Sequence, residues 1–360
     1  MIAHGGGCDG RWLAMRITRR PAIGLAVALA TVIVCGTGDA SRADCIMYAD
    51  LPHWVGDVSI PGSGFDVALH DQYAYIAEST GYDSYGVRVI DVSDPTEPDV
   101  GHALLTPGSA REVLVDGSAL YVADSVGGLL IADNSNPWHP VLVSTVDTPG
   151  EAAGVAAAGD LVCVADQAAG LQIVDVGDPQ APEIVGELPT PTFAQGVALA
   201  GQHAYVACGL SGLLVVDLAD PTAPVLVGSV DTPGYARRVV VRDGLAYVAD
   251  HLAGLQVIDV GDPTQPAILG GAVTPEGAWD VALQDDWAYV ASGSASLQVV
   301  DVSDPAAPWL ATSVVMAGLA YGVAVTGTHA FVATDWAGLQ VADITGSAGG
   351  RIVGSLATPD

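Results

Sequence analysis

Lysine is missing from this chain of 360 residues. Its eleven basic side chains are all arginine, set against 34 Asp and 7 Glu, for a formal net charge of −30. A surface of that sign repels phosphate, which excludes nucleic acid and anionic membrane as partners and favours cations, neutral sugars or basic proteins. Cysteine is scarce. Cys8, Cys35, Cys45, Cys163 and Cys208 show no CxxC spacing and two of them precede residue 44, so no disulfide framework is expected. Cys163 stands in "LVCVAD" where other stretches carry Tyr, which suits a packed apolar residue. Enzyme signatures are also lacking: there is no GxSxG, HExxH or phosphate-binding glycine loop, and this removes the commonest hydrolase and nucleotide-binding classes.

The first residues are a targeting segment rather than fold. "RWLAMRITRR" is basic, "PAIGLAVALATVIVCG" (21–36) is an apolar run short of the roughly 20 residues a spanning helix needs, and Ser41 and Ala43 supply a small-residue cleavage site. Thr18-Arg19-Arg20 suggests a twin-arginine signal, but "PAIG" fits it poorly. Residues 1–43 are therefore assigned to a signal peptide, 44–52 to a linker and 53–360 to the folded part. The expected location is periplasmic, extracellular or cell-surface, with no integral membrane segment once the signal is removed.

What the chain has in abundance is repetition. Stretches such as "GLQIVDVGDPQAP", "GLLVVDLADPTAP" and "GLQVIDVGDPTQP" place an Asp at 91, 133, 175, 217, 259, 301 and 343, always 42 residues apart. A second anchor, Val67, Val113, Val155, Val197, Val239, Val281 and Val323, keeps the same interval except for a first step of 46, the excess lying in "ESTGYDSYG". Each unit holds four short β-type runs, A to D, with a hairpin pair between A and B and an Asp-Pro turn between C and D. Seven such units predict an all-β fold, a seven-bladed β-propeller of 42-residue four-stranded repeats. An open solenoid would need polar end caps, and none is evident. Two D-type runs, "HWVGDVSIPG" and "RIVGSLATPD", compete for one place in the seventh blade; the sequence leaves open which of them, 53–60 or 351–357, closes the ring.

"LQIVD", "LLVVD", "LQVID" and "LQVVD", each followed by Asp-Pro, resemble the LVIVD-repeat family of bacterial and archaeal exported proteins over residues 53–360. That resemblance implies a propeller with a surface or binding role and transfers no catalytic residue.

A residue that recurs in every unit serves every blade alike, so the motif Asp series is expected to satisfy turn N–H groups. The recurrent glycines before run C are expected to permit a tight turn. Function is sought where the repeat varies, on the D–A and B–C loops that share one end of the channel. Two residues before the anchor Val the units read Phe65, Arg111, Ala153, Gln195, Arg237, Trp279 and Tyr321. Closure would bring Trp279, Tyr321 and Phe65 into an aromatic crescent, with Arg111 and Arg237 on the remaining arc and Trp336, Phe193 and Tyr235 on the same face. Phe65, Arg111, Gln195, Arg237, Trp279, Tyr321 and Trp336 are thus the candidate ligand-binding residues, suited to a glycan or to a peptide or protein segment. The plainer alternative is that the aromatics plug the channel or pack between blades.

A further series ends run B: Glu78, Asp124, Asp166, Cys208, Asp250, Ser292 and Thr334. Its acids, Glu78, Asp124, Asp166 and Asp250, are weak candidates for Ca²⁺, since no recognised ligand loop is present. The expected function is an exported binding module with its ligand at the channel mouth and no required cofactor. Two alternatives are a metal-assisted hydrolase or lyase using the acidic ring, and a structural cell-surface module.

Overall fold

The computed structural model describes residues 5–6, 12–13, 52–60, 62–79, 85–294 and 296–345. Apart from a two-residue pairing of Gly5–Gly6 with Trp12–Leu13, the segment assigned to the signal peptide lies outside the described residues, as does the closing candidate at 351–357. Among the described residues, no helix is long and apolar enough to cross a membrane.

Seven four-stranded antiparallel sheets follow one another in the repeat's own phase. The fifth is representative: Arg238–Arg242, Leu245–Ala249, Leu255–Asp259 and Ala267–Ala272 pair in order from the innermost strand outward. The innermost strands of neighbouring sheets pack on one another around the whole circle, blade seven against blade one included. Strand alternation explains why the sheets must stand this way. In blade one, Tyr75, Ala77, Val87 and Val89 join a cluster with Val113, Leu120 and Val122 of blade two. Ala74, Ile76 and Ile90, one register over, join Phe331, Leu339 and Val341 of blade seven. Both faces of the middle strands are apolar, so a lone sheet would leave both faces wet; the seven clusters each straddle one blade-to-blade interface. Each buried Leu, Ile or Val contributes on the order of 1.5–3 kcal/mol.

The competition for the seventh blade is decided by pairing. His53–Val58 lies along Gly338–Asp343 as the outer strand of the sheet whose other members are Ala320–Thr326 and His329–Thr334. The ends of the folded part are thereby stitched together in one sheet, and the long-range strand occupies the place.

The recurrent residues do the turn work expected of them. The side chain of each motif Asp accepts the N–H two residues on: Ser93 from Asp91, Ser135 from Asp133, Gly177 from Asp175, Ala219 from Asp217, Gly261 from Asp259, Ser303 from Asp301 and Thr345 from Asp343, at 2.8–2.9 Å. Gly254 enters the third strand at φ 76 with Ala272 O only 2.2 Å from where a Cβ would be. The glycine is required there both for its backbone angle and for space. Cys163 is buried, and burial pushes its thiol up to about 12, consistent with an inert packed residue.

Candidate functional site

Among the described residues, the D–A and B–C loops lie at one end of the channel, because strands A and C start there and strands B and D finish there. The loops are tied across blades. In blades two to six the second residue of the B–C loop bridges the residue three before the next anchor Val: Ser125 with Ala152, Gln167 with Ala194, Gly209 with Ala236, His251 with Ala278 and Gly293 with Ala320. Those five residues take left-handed φ between 43 and 51, a conformation that turns the loop over toward its neighbour.

On this frame five of the seven residues of the variable column form one continuous stack. Arg111 lies over the Phe65 ring at 5.2 Å, Phe65 meets Tyr321 at 5.9 Å across the ring closure, and Tyr321 meets Trp279 edge-on at 4.8 Å. The guanidinium of Arg237 sits 3.8 Å from the centre of Trp279 and 5.4 Å from that of Tyr235. The crescent of Trp279, Tyr321 and Phe65 is present, and the two arginines lie on the remaining arc, each stacked on one end of the crescent. Ala153 and Gln195 occupy the rest of that arc. Trp336 is 71% exposed on its B–C loop and takes no part in the ring contacts of the crescent among the described residues. Phe193 is likewise exposed.

The crescent is half-buried, not a plug. Burial raises the Tyr321 hydroxyl above the usual phenol range, helped by the charge of Asp335. Burial, then the Arg237 guanidinium, holds His251 below the ordinary imidazole range, and its neutral ring abuts Trp279 at 5.5 Å.

The plug lies one residue deeper, in a column the sequence reading passed over. Immediately before the anchor Val stand Asp66, Glu112, Gly154, Gly196, Arg238, Asp280 and Gly322. Arg238 of blade five reaches across the channel to blade two, where its Nη1 donates to Glu112 Oε2 and its Nη2 to Arg111 O at 3.4 Å. The same Nη2 is 3.9 Å from Asp66 Oδ1. The carboxylates also latch the next blade: Asp66 accepts from Val113 N at 2.9 Å, Glu112 from Val155 N at 2.9 Å and Asp280 from Val323 N at 2.8 Å. Burial pushes Glu112 up to about 8 against the pull of Arg238. Asp280 rises to about 7 through burial and then the charge of Asp66. The glycines leave no room for side chains where the inner strands crowd; a Cβ on Gly322 would be 2.5 Å from Asp66 Cα. A charged layer thus lies one residue along strand A from the aromatic column. The signal was legible: an acid or base in four of the seven units, in a column otherwise held by glycine.

The acids that end strand B hold loops. Asp124 accepts from Thr106 Oγ1 at 2.7 Å and Gly108 N at 2.6 Å, Asp166 from Thr148 and Gly150, and Asp250 from Thr232 and Gly234. Both oxygens of each are spent on the D–A loop of the same blade boundary, and burial raises all three above the usual carboxylate range while those bonds oppose the rise. Glu78 accepts from Arg88 at 2.6 Å. Among the described residues, no three of His, Cys, Asp and Glu gather as a metal-holding group.

These features define a seven-bladed β-propeller whose variable residues meet at one end of a plugged channel. The LVIVD repeat model matches residues 61–103, 107–148, 149–190, 193–232, 233–274, 276–315 and 317–355. The chain belongs to the LVIVD repeat family. No match was found among curated proteins. Of solved structures, it is similar to the computationally designed Ika8 protein, at 7% identity and TM-score 0.59, over 81% of this chain and 99% of that one. It is also similar to U3-55K, at 10% identity and TM-score 0.65, over 81% and 98%. At such identities the likeness is one of fold.

Proposed function

We propose that this protein is an exported interaction module that binds a peptide segment or glycan at the channel mouth, with Trp279, Tyr321 and Phe65 as the contact platform and Arg111 and Arg237 at its ends. The observation that carries the reading is the unbroken stack from Arg237 to Arg111 across five blades, partly exposed at the mouth next to the Arg238–Glu112 pair that crosses the channel. Flat rings bury contact area at small entropic cost, and stacked guanidinium groups keep their in-plane donors free for a ligand. The leader, with its basic start, apolar run and small-residue site, supports export.

Peptide and glycan arrays probed with wild type, Trp279→Ala and Tyr321→Ala test the reading. Binding should be lost in both variants with the unfolding midpoint little changed, since both side chains are only half-buried. Undiminished affinity in both would refute the mouth as the site.

A further inference from the structure

The large apolar side chains that remain exposed are not spread evenly. Apart from those on outer strands, they all sit on the mouth-side loops, the most exposed being Val126, Leu210, Leu252 and Trp336 on B–C loops and Val273 and Val315 after strand D, each between 68% and 81% exposed. Among the described residues, no exposed large hydrophobic lies on an A–B or C–D loop. The opposite end instead carries the Asp-Pro turns and hairpin residues such as Asp71, Asp243, Asp285 and Asp286, so acidic charge is concentrated there. A sugar offers hydroxyl groups, which gain little from protruding Leu and Val side chains; an apolar rim around an aromatic and arginine centre is the composition of a protein-binding surface.

The centre of this face carries positive charge without a counter-ion. Arg88 and Arg238 are paired with Glu78 and Glu112, whereas neither Arg111 nor Arg237 has a carboxylate partner among the described residues. Arg237 Nε is moreover buried and meets no acceptor. Arg111 is exposed to water, but leaving the buried Arg237 Nε without an acceptor in a chain with 41 acidic residues is costly unless something else supplies the anion.

We propose that the mouth face docks a protein segment in which a carboxylate, a chain terminus or an acidic side chain, is flanked by large apolar residues. The carboxylate meets Arg237 or Arg111, and the apolar residues cover the rim. This rests on the mouth being the binding site and narrows what it binds. A polyanionic partner is disfavoured by Asp147, Asp231 and Glu276 on the surrounding loops. A single carboxylate seated against a guanidinium is shielded from the remaining charge over a Debye length of about 10 Å at 0.1 M salt.

The test is selection of a random peptide library displayed with free C-termini on the immobilised full chain, run in parallel on the Arg111→Gln/Arg237→Gln variant. Enriched peptides should pair a carboxylate with at least two large apolar residues and bind the double variant about tenfold or more weakly, as for a lost interface hot spot. Leu252→Ser, at an exposed position, should weaken them while leaving the unfolding midpoint unchanged. Amidating the C-terminus separates a terminal from a side-chain carboxylate. Peptides lacking a carboxylate, or equal binding to the double variant, overturn the inference. If such peptides are still lost by Trp279→Ala, or if only a glycan array gives binding that Trp279→Ala removes, this inference fails and the mouth stands. If nothing enriches and no glycan binds, both fail.

Discussion

Replacing Arg238 with Met should destabilise the propeller in a pH-dependent way. Arg238 is the one cation in a layer that also holds Glu112, Asp66 and Asp280. With Glu112 at about 8 and Asp280 at about 7, both can take up protons at pH 8 once the cation is gone rather than remain as unpaired charges. A loss of about 2 kcal/mol through these two groups is therefore expected in urea unfolding at that pH. The sign with pH follows from the raised acids. Glu112, pushed to about 8, and Asp280, pushed to about 7, hold protons in the folded state that the unfolded chain releases near pH 4. Their contribution to wild-type stability is full below pH 4 and declines as pH rises toward 7–8, by about 1.4 kcal/mol per unit for each group. At pH 5 both are neutral, there is less charge for Arg238 to compensate, and the variant's loss should shrink well below its pH 8 value. Adding Glu112→Gln to Arg238→Met should restore part of the loss at pH 8, since an amide oxygen can still accept from Val155 N. An equal loss at both pH values, or a loss under about 1 kcal/mol at pH 8, would refute the account of a buried charge layer.

Three further outcomes are expected. Asp250→Ala strips Thr232 Oγ1 and Gly234 N of their acceptor and should cost about 1–3 kcal/mol, read by thermal unfolding, with faster amide exchange at Gly234. Gly196→Ala places a Cβ 2.7 Å from Arg237 O, so the inner strands of blades four and five must part. Strain of about 1–3 kcal/mol and weaker mouth binding should appear together, and an unperturbed midpoint would count against the crowding. Deleting residues 44–58 uncovers Leu339 and Val341 of the seventh blade and should lower the midpoint by the equivalent of several buried side chains at about 1.5–3 kcal/mol each. A midpoint unmoved by that deletion would contradict the observed closure.

The sequence alone determined the blade. A 42-residue phase with two-sided apolar strands admits few solutions other than a ring, and a residue repeated in all seven units, such as the motif Asp, could be read as turn chemistry because its bond is local, two residues along the chain. The crescent was legible too, since Phe65, Trp279 and Tyr321 hold one column of the repeat and closure of the circle makes columns into rings. Tertiary structure decided what depends on reach and on competition. Only coordinates show that Arg238 spans the channel to Glu112, because a side chain's crossing has no trace in periodicity. Only they show Arg111 and Arg237 stacked on the crescent's ends, because stacking direction follows from rotamers. And only the folded ring settles that His53–Val58 takes the seventh outer place: the sequence held two similar D-type runs, and pairing with Gly338–Asp343 joins segments nearly 300 residues apart.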